Sequence, residues 1–121
     1  MEKLTLKEEE VMEKIWAIDA PCAPKDVVAL YDEPKPNVNT VATSFQSLEK
    51  KGYLSHKSCG RGYLYYAIIE KTAYGSNRFG GLVERFFGGS LLSAVSAFVK
   101  EENVDADELI EYLQNLKNKR R

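Results

Sequence analysis

Residues 37–69, NVNTVATSFQSLEKKGYLSHKSCGRGYLYYAII, hold two patterns back to back, and the change between them decides the fold. In the first, Val41, Phe45 and Leu48 recur at i, i+4 and i+7, the spacing of one buried helical face. Asn37 carries the short acceptor of an N-cap and Gly52 supplies a stop, so the spacing predicts a helix between them, running to about Lys51. Beyond Gly52 the composition turns to Tyr, Leu and Ile. Tyr53–Lys57 and Tyr63–Ile68 read as two strands, with Ser58 to Gly62 as the five-residue, glycine-bearing tip of a β-hairpin.

Upstream, Thr5 and Glu8 stand in capping-box relation, which starts a first helix. Val11, Ile15 and Ile18 follow at helical spacing, Met12 and Trp16 widen the stripe, and Asp19-Ala20-Pro21 ends it. A shorter helix starts near Pro24 and is expected to bury Val27, Leu30 and Tyr31. Pro34 and Pro36 mark residues 32–37 as a connection. Three short helices followed by a hairpin is the order of a winged helix-turn-helix, assigned here to residues 1–70.

Residues 71–121 read as helical but punctuated. Gly75, Gly80 and Gly81 weaken the entry to a fourth helix whose end, Leu82, Val83, Phe86 and Phe87, is strongly apolar. Gly88-Gly89 breaks the chain. Ser90 caps a fifth helix carrying Leu91, Leu92, Val95, Phe98 and Val99, and Asp105 with Glu108 caps a sixth carrying Leu109, Ile110, Leu113 and Leu116. Lys117 to Arg121 reads as a frayed cationic tail. The expected class is therefore mainly α with a small β-hairpin wing, and the C-terminal helices form a dimerisation region. Phe86, Phe87, Leu91, Leu92, Val95, Phe98, Val99, Leu109 and Leu113 are many anchors for an element too small to close its own core. A monomeric helical cap is the competing reading.

With 121 residues, 44% of them apolar, the chain can bury one ordinary core and a small satellite. Its 17 basic residues are balanced by 18 acidic ones, and a net charge of −1 gives no whole-molecule attraction to nucleic acid. Any such attraction must be local. With Val41, Phe45 and Leu48 inward, the opposite stripe of the third helix is Asn39, Thr43, Gln46 and Lys50, flanked by Ala42 and Ser47. Amides pair bidentately with adenine and hydroxyls reach base edges or phosphates, whereas an ordinary solvent face would carry Glu and Lys. Lys50 and Lys51 at the helix end, and Lys57 and Arg61 on the hairpin, are placed to meet phosphate. Between Lys35 and Arg61 there are five cations and one acid, Glu49, while Glu8, Glu9, Glu10 and Glu13 gather the acids in the first helix.

Other classes find little support. One His and two distant Cys, Cys22 and Cys59, give neither a catalytic constellation nor zinc spacing, so no enzyme, cofactor or metal is expected. His56 with Cys59 is too few ligands for a sensor. Tyr63, Tyr65 and Tyr66 could stack on bases, or form the two faces of a half-buried hairpin. The charged opening, MEKLTLKEEE, is unlike a signal peptide, no apolar run is long enough to span a bilayer, and a cytoplasmic location without membrane insertion is expected. A winged helix that binds protein and no DNA remains the rival function.

The stretch quoted above, the opening LTLKEEEVMEKIW and the block FFGGSLLSAVSAFVKEENVDADELIEYLQNL together resemble the penicillinase-repressor and methicillin-resistance-repressor (BlaI/MecI) family over nearly the whole chain. The resemblance implies a homodimeric transcriptional repressor on a near-palindromic operator of double-stranded DNA. It places the reading residues at Asn39, Thr40, Thr43 and Ser47, with Lys50 toward the backbone. Ala42 and Ser47 stand where the family usually has cations. The resemblance also implies release by a protease linked to a membrane sensor. The matching bond is Ala97–Phe98, with Ala97 in place of the family's Asn. The Cys-x-Cys ends of the copper-responsive branch are missing, so a repressor of this fold answering a signal other than a β-lactam is the second alternative.

Overall fold

The computed structural model describes residues 1–102 and 104–119. Helix α1 spans Leu6–Ile18, α2 Pro24–Val28 and α3 Val38–Lys50, followed by strands β1, Leu54–Cys59, and β2, Gly62–Ala67. Helices α4, Lys71–Phe86, α5, Leu91–Glu101, and α6, Ala106–Lys119, complete the chain. The architecture is that of a winged helix, mainly helical with one antiparallel hairpin.

The predicted caps form. Thr5 accepts the Glu8 amide while the Glu8 carboxylate accepts the Thr5 amide, closing the capping box of α1. The helix ends at Asp19, whose φ of 53° is the left-handed conformation that an Asp tolerates at this position. Asn37 caps α3 through the Asn39 amide, and Lys51 and Gly52 end it. Helix α2 is shorter than its apolar pattern suggested. Val27 is buried, but the chain leaves helical geometry before Leu30, which is half exposed at 50%. The turn after α2 is closed from outside it: Lys35 Nζ donates to the carbonyls of Ala29 (3.1 Å) and Tyr31 (2.5 Å).

The wing is tighter than the sequence suggested. Register runs from Leu54 opposite Ala67 to Cys59 opposite Gly62, so Ser58, Cys59 and Gly62 belong to the ladder and only Gly60 and Arg61 turn. Gly60 carries a φ of +62° and Arg61 does not, the pattern of a two-residue turn with glycine first. A third strand is reduced to one residue. Cys22 and Tyr65 exchange backbone hydrogen bonds of 2.8 and 2.7 Å, which fastens the hairpin to the connection between α1 and α2.

One core closes this part of the chain. Val11, Met12 and Ile15 from α1, Val27 from α2, and Val41, Phe45 and Leu48 from α3 are buried with Leu4, Cys22, Tyr53 and Leu54. Tyr65 meets Phe45 edge-on at 5.1 Å between ring centroids. Tyr74, in the first turns of α4, lies against Trp16 and Tyr53 and donates its hydroxyl to Glu9. Because of that packing, the compact units divide between Asn77 and Arg78, inside α4, and not at the Glu70–Lys71 junction. Gly75, Gly80 and Gly81 do not interrupt α4, which is continuous through all three.

In the second unit Gly88 and Gly89, at φ +59° and +80°, turn the chain between α4 and α5, a left-handed conformation that glycine adopts at no steric cost. Ser90 caps α5 through the Ser93 amide, and Asp105 caps α6 through the amides of Asp107 and Glu108. The expected frayed tail is helical as far as Lys119; Arg120 and Arg121 lie outside the described residues. Among the described residues no single helix is long and apolar enough to cross a membrane.

Candidate nucleic-acid interface

Helix α3 is held from one side only. Val41, Phe45 and Leu48 are buried at 2%, 0% and 0%, which fixes its rotation. Asn39, Thr40, Thr43, Gln46 and Lys50 are then exposed along the other side, with Ala42 half-buried beside them. Thr43 donates its hydroxyl to the Asn39 carbonyl at 3.0 Å, leaving its oxygen to accept. No acid interrupts this stripe. Glu49, the single acid of the region, is half-buried and lies on the flank, its Oε2 2.5 Å from His56 Nδ1 on β1.

The cations divide into two groups. Lys50, Lys57 and Arg61 are exposed and make no ion pair among the described residues. Lys57 is within β1, and Arg61 occupies the second turn position at the tip of the wing. Lys35 and Lys51 are engaged within the protein: Lys35 with the carbonyls that follow α2, Lys51 with Glu8 Oε1 at 2.7 Å and the Lys3 carbonyl at 3.1 Å. Ser47 is engaged as well, donating to Glu8 Oε2 at 2.6 Å. The structure therefore brings Asn39, Thr40, Thr43, Gln46 and Lys50 onto one face, and sets Ser47 and Lys51 beside it, half-buried against α1.

The Glu8 carboxylate is 5% exposed. Burial alone would push it up, but the Lys51 ammonium, the Ser47 hydroxyl and the hydrogen bonds from Thr5 outweigh burial and hold it down, from an ordinary 4.5 to about 2. Sequence reading found Glu8 as a capping residue and missed its reach to α3. One signal was available: Ser47 and Lys51 are four residues apart and so share one helical flank.

On the wing, side chains alternate between faces. Leu54, His56, Tyr63 and Tyr65 share one face. His56 contacts both tyrosine rings, and Tyr65 is half-buried on Phe45. Lys57 and Tyr66 belong to the other, exposed face. Burial pushes the Tyr65 hydroxyl up, and the charge of Glu49 adds to the effect. Cys22 is buried and its thiol is pushed up to about 11 by burial and by Asp26, whereas Cys59 is exposed near the tip. Among the described residues no cluster of His, Cys, Asp or Glu could hold a metal ion.

In the second unit, Phe87, Val95, Phe98, Val99 and Leu109 line an almost wholly apolar recess of about 600 Å³, together with Phe79 and Leu82. Phe86, Leu91, Leu92 and Leu113 are exposed outside it, Leu92 at 83% and Phe98, at the rim, at 60%. The Ala97–Phe98 bond lies in the interior of α5, with Ala97 half-buried.

A hairpin wing behind a helix with an acid-free outer face defines a winged helix-turn-helix protein, and here it is joined to an apolar helical extension. The sequence profile of the penicillinase repressor family matches residues 4–118, and the chain belongs to that family of transcriptional repressors. It is 26% identical over 118 residues to the methicillin resistance regulatory protein MecI of Staphylococcus aureus strain N315, a match covering 98% of this chain and 95% of the relative. The same identity and coverage hold for the Mammaliicoccus sciuri protein of that name. Identity to the penicillinase repressor of Bacillus licheniformis is 28% over 107 residues, 88% of this chain and 84% of the relative.

Proposed function

We propose that the chain is a sequence-specific, DNA-binding repressor, acting in the cytoplasm as a homodimer on a near-palindromic operator. The carrying observation is the exposed stripe of Asn39, Thr40, Thr43 and Gln46, free of acids and ending in Lys50, on a helix whose rotation a closed core fixes. The amides and hydroxyls read base edges in the major groove, while Lys50, Lys57 and Arg61 meet phosphates on either side. Two copies joined through the apolar faces of α5 and α6 would present two such helices, and their separation would set the half-site spacing. The printed names of the relatives, a methicillin resistance regulatory protein and a penicillinase repressor, agree with regulation and with a non-enzymatic role.

Selection of bound duplexes from random DNA is expected to return a near-palindrome. Gln46→Ala is expected to cost about 1–3 kcal/mol on that operator and far less on a scrambled duplex. Equal losses on both would remove Gln46 from base reading. A full-length chain that binds no duplex at low salt would leave the protein-interaction module as the function. Ala97, within α5, favours a release signal other than the β-lactam-triggered cleavage implied by the family resemblance, because the family's Asn is missing there.

A further inference from the structure

One carboxylate fastens the C-terminal turns of α3. Glu8 Oε1 accepts from Lys51 Nζ at 2.7 Å and from the Thr5 amide at 2.8 Å, and Oε2 accepts from Ser47 Oγ at 2.6 Å. Lys51 is held a second time by the Lys3 carbonyl. Both partners lie on the flank of α3 beside the exposed stripe, and the carboxylate between them is buried. A buried ion with every contact satisfied is costly to disturb, since removing one partner leaves the other uncompensated.

We propose that Glu8 is a specificity-determining positioning residue: it withholds the Lys51 cation and the Ser47 hydroxyl from DNA while fixing the rotation at which α3 presents Asn39, Thr40, Thr43 and Gln46. The assignment rests on the DNA-binding reading above. A cation free to reach any phosphate adds affinity for every sequence alike, so tying one down lowers non-specific binding and spares the base contacts. Ser47, where the resemblance would put a base reader, becomes part of the mounting of the helix. The carboxyl, held at about 2, stays ionised at neutral pH, so the fastening is permanent under those conditions.

Salt titrations of the full-length protein on its selected operator and on a scrambled duplex test this, with the melting temperature of each variant. Lys50→Ala is expected to shallow the slope of log K against log salt by about 0.9, the contribution of one phosphate contact. Lys51→Ala is expected to leave the slope unchanged and lower the melting temperature. Glu8→Gln frees Lys51, so the slope should steepen by up to about 0.9, with tighter binding to the scrambled duplex and a smaller matched-to-scrambled ratio. Ser47→Ala should return the parental base preference when sites are selected again. A shallower slope in Lys51→Ala, an unchanged slope in Glu8→Gln, or an altered preference in Ser47→Ala overturns the assignment. Where the first two variants do not fold, Ser47→Ala decides. A parent protein that binds neither duplex overturns the DNA-binding reading itself, and a parent that binds normally confines any failure to Glu8.

Discussion

The two units of this chain solve the same problem in opposite ways. In the first, Val11, Met12, Ile15, Val27, Phe45 and Leu48 are each 2% exposed or less, and one core accounts for nearly every large apolar side chain. In the second, only Val83 and Ala94 are buried, while Phe79, Leu82, Phe86, Leu91, Leu92, Phe98, Ile110 and Leu113 are each more than two-fifths exposed. Both units have well-formed, capped helices, so the difference lies in packing and not in local structure. A hairpin and three helices crossing one another enclose an interior. The short helices of the second unit leave an open apolar recess and an apolar surface, the arrangement that a second copy would cover.

The contrast breaks most sharply at Phe45. Phe45→Ala, at a fully buried ring that carries α3 and contacts Tyr65, is expected to cost about 3–5 kcal/mol of stability in denaturant titration. A loss below about 1 kcal/mol would mean that the first unit is not the tightly closed core described here.

Acid should act on the first unit next, through Glu8. Above pH 4.5 the carboxylate is ionised folded or unfolded, and its contribution is fully present. As pH falls toward about 2 the unfolded chain takes up the proton first, so stability drops, by at most about 3 kcal/mol. In Glu8→Gln this portion of the acid sensitivity should vanish; an identical acid profile for the two proteins would refute the buried ion pair.

Phe98→Asp should act on the second unit alone. Sedimentation equilibrium is expected to give the mass of one chain, with the core of the first unit intact and operator affinity reduced by about a hundredfold as the two heads lose their linkage. A variant that stays fully dimeric would place the interface away from α5.

Much of this was legible from residue order. The capping box at Thr5 and Glu8, the caps at Asn37, Ser90 and Asp105, and the buried triad of α3 are all read from spacings within one helix, because their partners lie three or four residues away. Where local signals conflicted with context, they misled. The glycines of α4 suggested a break that the helix does not make, and the Gly-rich tip suggested a loop where Ser58, Cys59 and Gly62 continue the ladder. Cross-strand pairing recovers backbone hydrogen bonds that a longer loop would forgo.

What the sequence determined by itself was the element order, the family, and the side of α3 that faces away from the core. Only the tertiary structure decided which of the flanking groups remain free. Lys50 and Lys51 are adjacent and chemically identical, yet one is exposed and the other is bonded to a carboxylate 43 positions away in sequence. Adjacent helical residues point about 100° apart, and the packing of α1 against one of those directions turns a cation into a structural group. The same holds for the apolar residues of α5 and α6: their pattern announces a buried face, but only the folded chain reveals that its own atoms do not cover it.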